Sequence, residues 1–293
     1  MANPAPSRHR FRVGSQHSGE KRGNGFFLKF DADPSSILAY RWSMHTPIQF
    51  PLKAFLASTL LLCASAKADF SLDFETGAVW SGKNDVRIPG DSGDLFSLTD
   101  DLKADQPAAF FRARATWHIN DRHDVSALYA PLSMDYSGTF DRSIDFRDGV
   151  LNPGVPTQAR FRFDSYRLTY RYNFIKTDKI TFGLGLTAKM RDAEISVSQP
   201  GNNLYDDNTG FVPLINFRFA WQITDDFSLL AEGDALASSR GRAEDVMAAI
   251  QWQATDNLAF RLGYRILEGG SDSDDVYSFS LFHYAVVGAT IRF

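Results

Sequence analysis

The stretch Ser165-Tyr166-Arg167-Leu168-Thr169-Tyr170-Arg171-Tyr172-Asn173-Phe174 places apolar side chains on every even position and polar ones on every odd position. A period of two is the signature of an extended strand with one apolar and one polar face, because successive Cβ atoms point to opposite sides. The same alternation runs from Phe211 to Ile223, where Ile215, Phe217, Phe219 and Trp221 oppose Asn216, Arg218, Ala220 and Gln222. It returns from Leu258 to Ile266, with Leu258, Phe260, Leu262, Tyr264 and Ile266 set against Arg261, Gly263 and Arg265.

A soluble sandwich alternates in the same way, so the turns decide. Tight polar turns fall at Asn120-Asp121-Arg122-His123, Lys176-Thr177-Asp178-Lys179, Thr224-Asp225-Asp226 and Thr255-Asp256-Asn257. Between them lie segments rich in Gly, Pro, Asp, Asn and Ser, near 82–105, 138–158 and 196–209, with shorter ones near 239–244 and 268–275. Short turns at one end and long loops at the other are the pattern of a membrane barrel. The reading is therefore an all-β, transmembrane, antiparallel up-and-down barrel of ten strands, near 70–81, 107–119, 124–137, 160–175, 180–195, 210–223, 227–238, 245–254, 258–268 and 276–293. The punctuation also admits eight or twelve strands. The third strand has the weakest alternation, around Pro131, whose missing N–H removes a ladder bond.

Composition removes other classes. A formal net charge of -4 over 293 residues does not fit a nucleic-acid binder. No run reaches the roughly 18 apolar residues of a membrane helix, whereas a membrane strand needs only about 9 to 11 with alternate ones apolar.

From Ala54 to Ala64 runs AFLASTLLLCA, preceded by Lys53 and followed by the small-x-small site Ala66-Lys67-Ala68. These are the three parts of a cleaved secretory signal, which starting at Met44 would have ordinary length and span 44–68. Residues 1–43 are polar, basic and aperiodic, either an extension from a start assigned too far upstream or a long cytoplasmic lead. Cleavage after Ala68 leaves 69–293 as the barrel. Cys63, the chain's one cysteine, falls inside the signal, so the mature barrel has no disulfide or thiol ligand. Leu60, Leu61 and Leu62 before it lack the small residue that a lipidation site normally has at that place.

The last strand ends Val286-Val287-Gly288-Ala289-Thr290-Ile291-Arg292-Phe293, with Val287, Ala289, Ile291 and Phe293 on one face. It resembles the C-terminal signature of bacterial outer-membrane proteins, an alternating strand ending on an aromatic residue. That resemblance implies an outer-membrane location, outer-membrane lipid as the surrounding medium, and the barrel-assembly machinery as a partner that reads Phe293. Trp80, Trp117, Phe174, Trp221, Trp252 and Phe293 sit near strand ends, where interfacial aromatic girdles belong.

If apolar residues face lipid, the opposite face lines the lumen. Its basic members are Arg112, Arg114, Arg167, Arg171, Lys189, Arg191, Arg218, Arg261, Arg265 and Arg292; its acidic members are Asp73, Glu75, Glu232 and Asp234. A lumen richer in arginine than in acid puts the remaining negative charge in loops, as at Asp272, Asp274 and Asp275. Two readings follow: a narrow water-filled pore selecting small anions, or arginines paired with the acids into a plug. A barrel little wider than eight strands is near the size that side chains fill.

Catalytic residue types are sparse. His118 and His123 flank a turn and read as solvated surface groups; His283 faces lipid, with Ser278 and Ser280 on the opposite parity. The topology resembles a ten-stranded barrel protease, whose paired aspartates and Asp-His pair are not reproduced: Asp141 and Asp145 have no histidine nearby in sequence. The acidic pairs Asp206-Asp207 and Asp274-Asp275 read as solvated loop residues, and no EF-hand, zinc or phosphate-loop spacing occurs. The expectation is a structural or narrow pore-forming outer-membrane barrel with exposed binding loops, no cofactor and no catalytic residue. A barrel-embedded hydrolase acting on lipid or peptide is the alternative, and a convergent Ser/His/acid cluster is the feature that would favour it.

Overall fold

The structure, a computed structural model, describes residues 69–238 and 241–293; the expected extension and signal segment lie outside the described residues. Ten antiparallel strands form the wall: β1 (Asp69–Arg87), β2 (Ala108–His118), β3 (His123–Ala130, continued by Ser133–Gly138), β4 (Thr157–Lys176), β5 (Ile180–Gln199), β6 (Asn202–Gln222), β7 (Phe227–Ser238), β8 (Gly241–Thr255), β9 (Leu258–Asp272) and β10 (Tyr277–Arg292). Each pairs with its chain neighbours, and β10 pairs with β1, so the sheet closes on itself. Phe293 completes the seam, its N–H donating to the Phe70 carbonyl at 2.8 Å. Closure matters physically because it leaves no row of unpaired backbone groups facing lipid.

β3 is interrupted at Pro131 and Leu132, and both of its halves pair with β4. β1 continues past residue 81 through an irregularity between Ser81 and Lys83. The extra residue switches parity, so Ser81 below it and Asn84, Val86 and Ile88 above it all point inward and are buried. Of the segments expected as loops near 196–209, 239–244 and 268–275, the described residues are mostly strand. Their Asn, Asp and Gly content reflects polar hairpins rising above the apolar wall, not irregular chain.

The outer face is apolar in mid-wall, with Leu186, Leu262 and Leu168 59–69% exposed. Trp117, Phe174, Trp221, Trp252, Phe227 and Phe293 ring the short-turn end, while Trp80, Phe111, Tyr129, Tyr166 and Tyr264 ring the other. A continuous belt of this kind has no place in water and fits a hydrocarbon layer bounded by two interfaces.

Among the described residues the two long loops are 88–107 and 139–156. They fold over the loop end and carry short strands Phe96–Ser97, Leu102–Ala104, Ile144–Phe146 and Gly149–Leu151. Phe96 stacks edge-on against both Phe140 and Phe146, each at 5.6 Å between ring centroids, and all three rings are buried. The cap leans on the β5–β6 hairpin through Gln199, which accepts from the Asn152 N–H at 2.8 Å, and through Asn202, which donates to the Val150 carbonyl at 3.0 Å.

One part of the wall is incomplete. β6 pairs with β5 along its whole length but with β7 only from Ile215 to Gln222. The β5–β6 hairpin is long and the β7–β8 hairpin short, so among the described residues no strand covers the β7-side edge of residues 202–214. Pro213, without an N–H, sits just where that ladder stops.

Candidate functional site

Inward residues divide the lumen into three levels. At the centre is a charged belt. Asp245 of β8 accepts from Arg265 of β9 at 2.5 Å, Arg167 of β4 at 2.6 Å and Arg112 of β2 at 3.0 Å, so one carboxylate ties together strands from opposite sides of the ring. Glu75 of β1 takes Arg265 and Arg261 at 2.9 Å and Arg112 at 3.2 Å. Arg261 also pairs with Asp73; Arg114 and Arg218 share Glu232, the former at 2.7 Å. Asp234 takes Arg167 at 2.7 Å, the Thr187 hydroxyl at 2.6 Å and the Asn216 amide at 2.9 Å. Arg265, only 1% exposed, fills the middle of the barrel. Charges this deeply buried are tolerable only when paired and hydrogen-bonded, as these are.

Several placements differ from the sequence reading. Asp245, the first residue of the eighth expected strand and not among the expected lumen acids, meets three arginines, as many as Glu75 does; its parity with Met247 and Ala249 is the signal that places it inward. Arg292 lies on the exposed rim, 3.6 Å from Asp69, outside the belt. Arg171 sits below the belt on Asp124 at 2.8 Å. Lys189 and Arg191 sit above it.

At the short-turn mouth, His118 is not a solvated surface group. It shares the inward parity of Arg112 and Arg114, and turn proximity hid this. Its Nε2 lies 3.0 Å from the Ser71 Oγ and its Nδ1 lies 2.7 Å from the Asp124 carboxylate. Asp124 is held in turn by Arg171 and, at 3.1 Å, by the Asn173 amide. Ser71, His118 and Asp124 thus stand in the order nucleophile, base, orienting acid. His123 faces outward and meets the Tyr170 hydroxyl at 2.7 Å. His283 faces outward too, on the Tyr264 hydroxyl, while Ser280 points inward and donates to Asn84 at 3.0 Å. Asp141 and Asp145 lie in the cap, and among the described residues no group of His, Cys, Asp and Glu is arranged to hold a metal.

Above the belt the inward face turns apolar, with Val79, Phe110, Phe161, Phe282, Tyr284 and Val286 buried. This half holds a cavity of about 350 Å³ between the cap and strands β4 to β10. Phe161, Phe163, Val212, Leu236, Leu267 and Phe282 give it apolar walls, and Lys189 and Arg191 line its β5 side.

An apolar exterior around a filled, charged lumen defines a transmembrane β-barrel. A family model described as a protein of unknown function, DUF481, matches residues 164–281, from β4 into β10. No curated protein matches significantly. Similar solved structures include the outer membrane protease OmpT from Escherichia coli, at 13% identity and a TM-score of 0.47, covering 78% of this chain and 99% of that one. The translocator domain of the autotransporter NalP from Neisseria meningitidis stands at 10% identity and 0.42, covering 82% and 94%. Ail, the attachment invasion locus protein of Yersinia pestis, stands at 12% and 0.37, covering 77% and 99%.

Proposed function

We propose that this protein is an outer-membrane barrel whose lumen is sealed against ions and whose working end is the capped outer half. The observation that carries the reading is Asp245 bridging Arg112, Arg167 and Arg265 across the ring. Each of these three arginines is also held by a second acid, Arg112 and Arg265 by Glu75 and Arg167 by Asp234, so their charge is matched within the belt and not offered to a permeating anion, which favours the plug over the pore. The segregation of short turns from the cap, the even strand number and the aromatic C-terminus support an orientation with the short turns in the periplasm and the cap outside. Outer-membrane lipid surrounds the belt, and the assembly machinery reads Phe293. The chemistry is binding, not catalysis, and needs no cofactor.

The test is conductance. Protein purified from the outer membrane and inserted in a planar bilayer is expected to be silent. A steady anion-preferring current that falls when Arg167, Arg171 or Arg265 is neutralised would overturn the plug.

Ser71, His118 and Asp124 favour a second reading, a hydrolase at the periplasmic mouth. His118 Nε2 would take the Ser71 proton as Oγ attacks an ester carbonyl, with Asp124 holding the Nδ1–H. Against it, Ser71 is only 6% exposed, and its strand is paired on both sides, so its backbone N–H groups are committed to the ladder. A fluorophosphonate probe that labels the wild type and spares Ser71→Ala would establish this chemistry; absence of labelling returns the trio to a polar seal.

A further inference from the structure

Lys189 stands apart from the cations of the belt. It is 3% exposed, yet among the described residues no carboxylate lies within ion-pair distance and no hydrogen bond engages its ammonium; its contact is with the face of Phe163, 4.7 Å from the ring centroid. An ion buried without a counter-charge is costly, and the belt below shows that this chain pairs its cations elsewhere. Arg191, one step further out on the same face, has a neutral partner, the Asn208 side-chain carbonyl at 2.9 Å. The acids around the cavity are engaged by other groups: Asp206 by Arg147, Glu194 by Arg162, Glu268 by Arg242. Asp275 is at the exposed rim. The floor of the cavity is therefore a positive point facing apolar walls.

The gap in the wall meets the same cavity. Asn208 and Val212 on the uncovered stretch of β6, and Leu236 on β7, line the cavity from the two lips of the β6–β7 notch. Outside the notch stand Phe211, 61% exposed, and Tyr205, 58% exposed, at the level where the apolar belt gives way to polar hairpin.

From these observations we propose that the cavity binds a single-chain amphiphile with an anionic head, a fatty or aromatic carboxylate, which passes sideways from the lipid through the β6–β7 notch. The carboxylate reaches Lys189 and Arg191, and the apolar part lies against Phe161, Val212, Leu236 and Phe282. A volume near the low end of ligand pockets suits one chain and excludes a two-chain lipid. This rests on the sealed belt, which gives the cavity a closed floor.

The probe is a fluorescent twelve-carbon carboxylate, compared with the alcohol and the trimethylammonium of the same chain length, added to the purified protein in nanodiscs, with empty nanodiscs as the partition control. The carboxylate is expected to bind above the control, and Lys189→Met to weaken it roughly 10- to 100-fold, the size of one buried charged hydrogen bond, without changing the alcohol. Equal carboxylate binding by wild type and Lys189→Met overturns the site, as does equal binding of all three probes. For the route, Leu214→Cys and Leu236→Cys are joined by a short bis-methanethiosulfonate cross-linker. Uptake from lipid should slow at least about tenfold on joining while bound probe is retained; unchanged uptake overturns the lateral route. A barrel silent in the bilayer that binds no carboxylate above the control refutes this proposal and leaves the plug standing. A conducting barrel refutes the plug itself.

Discussion

Two halves of one lumen, built on the same inward parity of the same strands, are filled in opposite ways. Near the short turns the strands are paired on both sides and held at fixed spacing, so long guanidinium groups meet carboxylates across the ring, each anchored on a different strand. Toward the loop end the chain itself folds in, and Phe96, Phe140 and Phe146 from the cap fill the space with rings. Ion pairing needs every partner at once, whereas aromatic packing fails by degrees. The charged half should therefore be brittle and the apolar half tolerant.

The sharpest test of that contrast is Asp245→Ala, which takes one of two carboxylates from each of three buried guanidinium groups and leaves the belt short of one negative charge. Breaking a buried ion cluster from one side costs about 3–5 kcal/mol, so the urea midpoint followed by tryptophan fluorescence should fall steeply. A loss under about 1 kcal/mol would mean water screens the belt, which would breach the comparison at its stronger end. Next, Phe96→Ala should cost about 3 kcal/mol, felt mainly as faster proteolysis within 88–107 and 139–156 while the wall stays intact. Wall and cap unfolding together would make the two halves one cooperative unit. The smallest effect is expected for Lys189→Met, which removes an unpaired cation and keeps the stem: stability unchanged or slightly raised, read from the same urea curve. A clear loss would reveal a partner for that ammonium.

How much of this could be read from the chain follows the same divide. Period-two alternation such as Ser165 to Phe174 reports the wall directly, because one face meets lipid and the other does not, and the ten strands follow from it. Arg112, Arg167, Arg261 and Arg265 could be placed inward by parity alone. Parity carried less far where a turn or a bulge was near. His118 looks like a turn residue, Asp245 stands at the very first position of its expected strand, and the parity switch after Ser81 hides Asn84, Val86 and Ile88. The cavity was not legible at all. It depends on one hairpin outgrowing its neighbour, and in sequence the polar rise of Asn202 to Gly210 looks the same as an irregular loop.

The belt also has a consequence for the order in which the molecule can be made. Glu75 and Arg265 are 190 residues apart in the chain, and Asp73 and Arg261 are 188 apart. Arg261 on β9 thus waits for both of its carboxylates, and Arg265 for one of its two, until β1 arrives as the seam at Phe70 and Phe293 is drawn shut. A sheet left open would carry rows of unmatched charge into hydrocarbon, where each is expensive. Joining the last strand to the first and neutralising the interior are thus one event, and a half-made barrel has no comfortable state in the bilayer in which to linger.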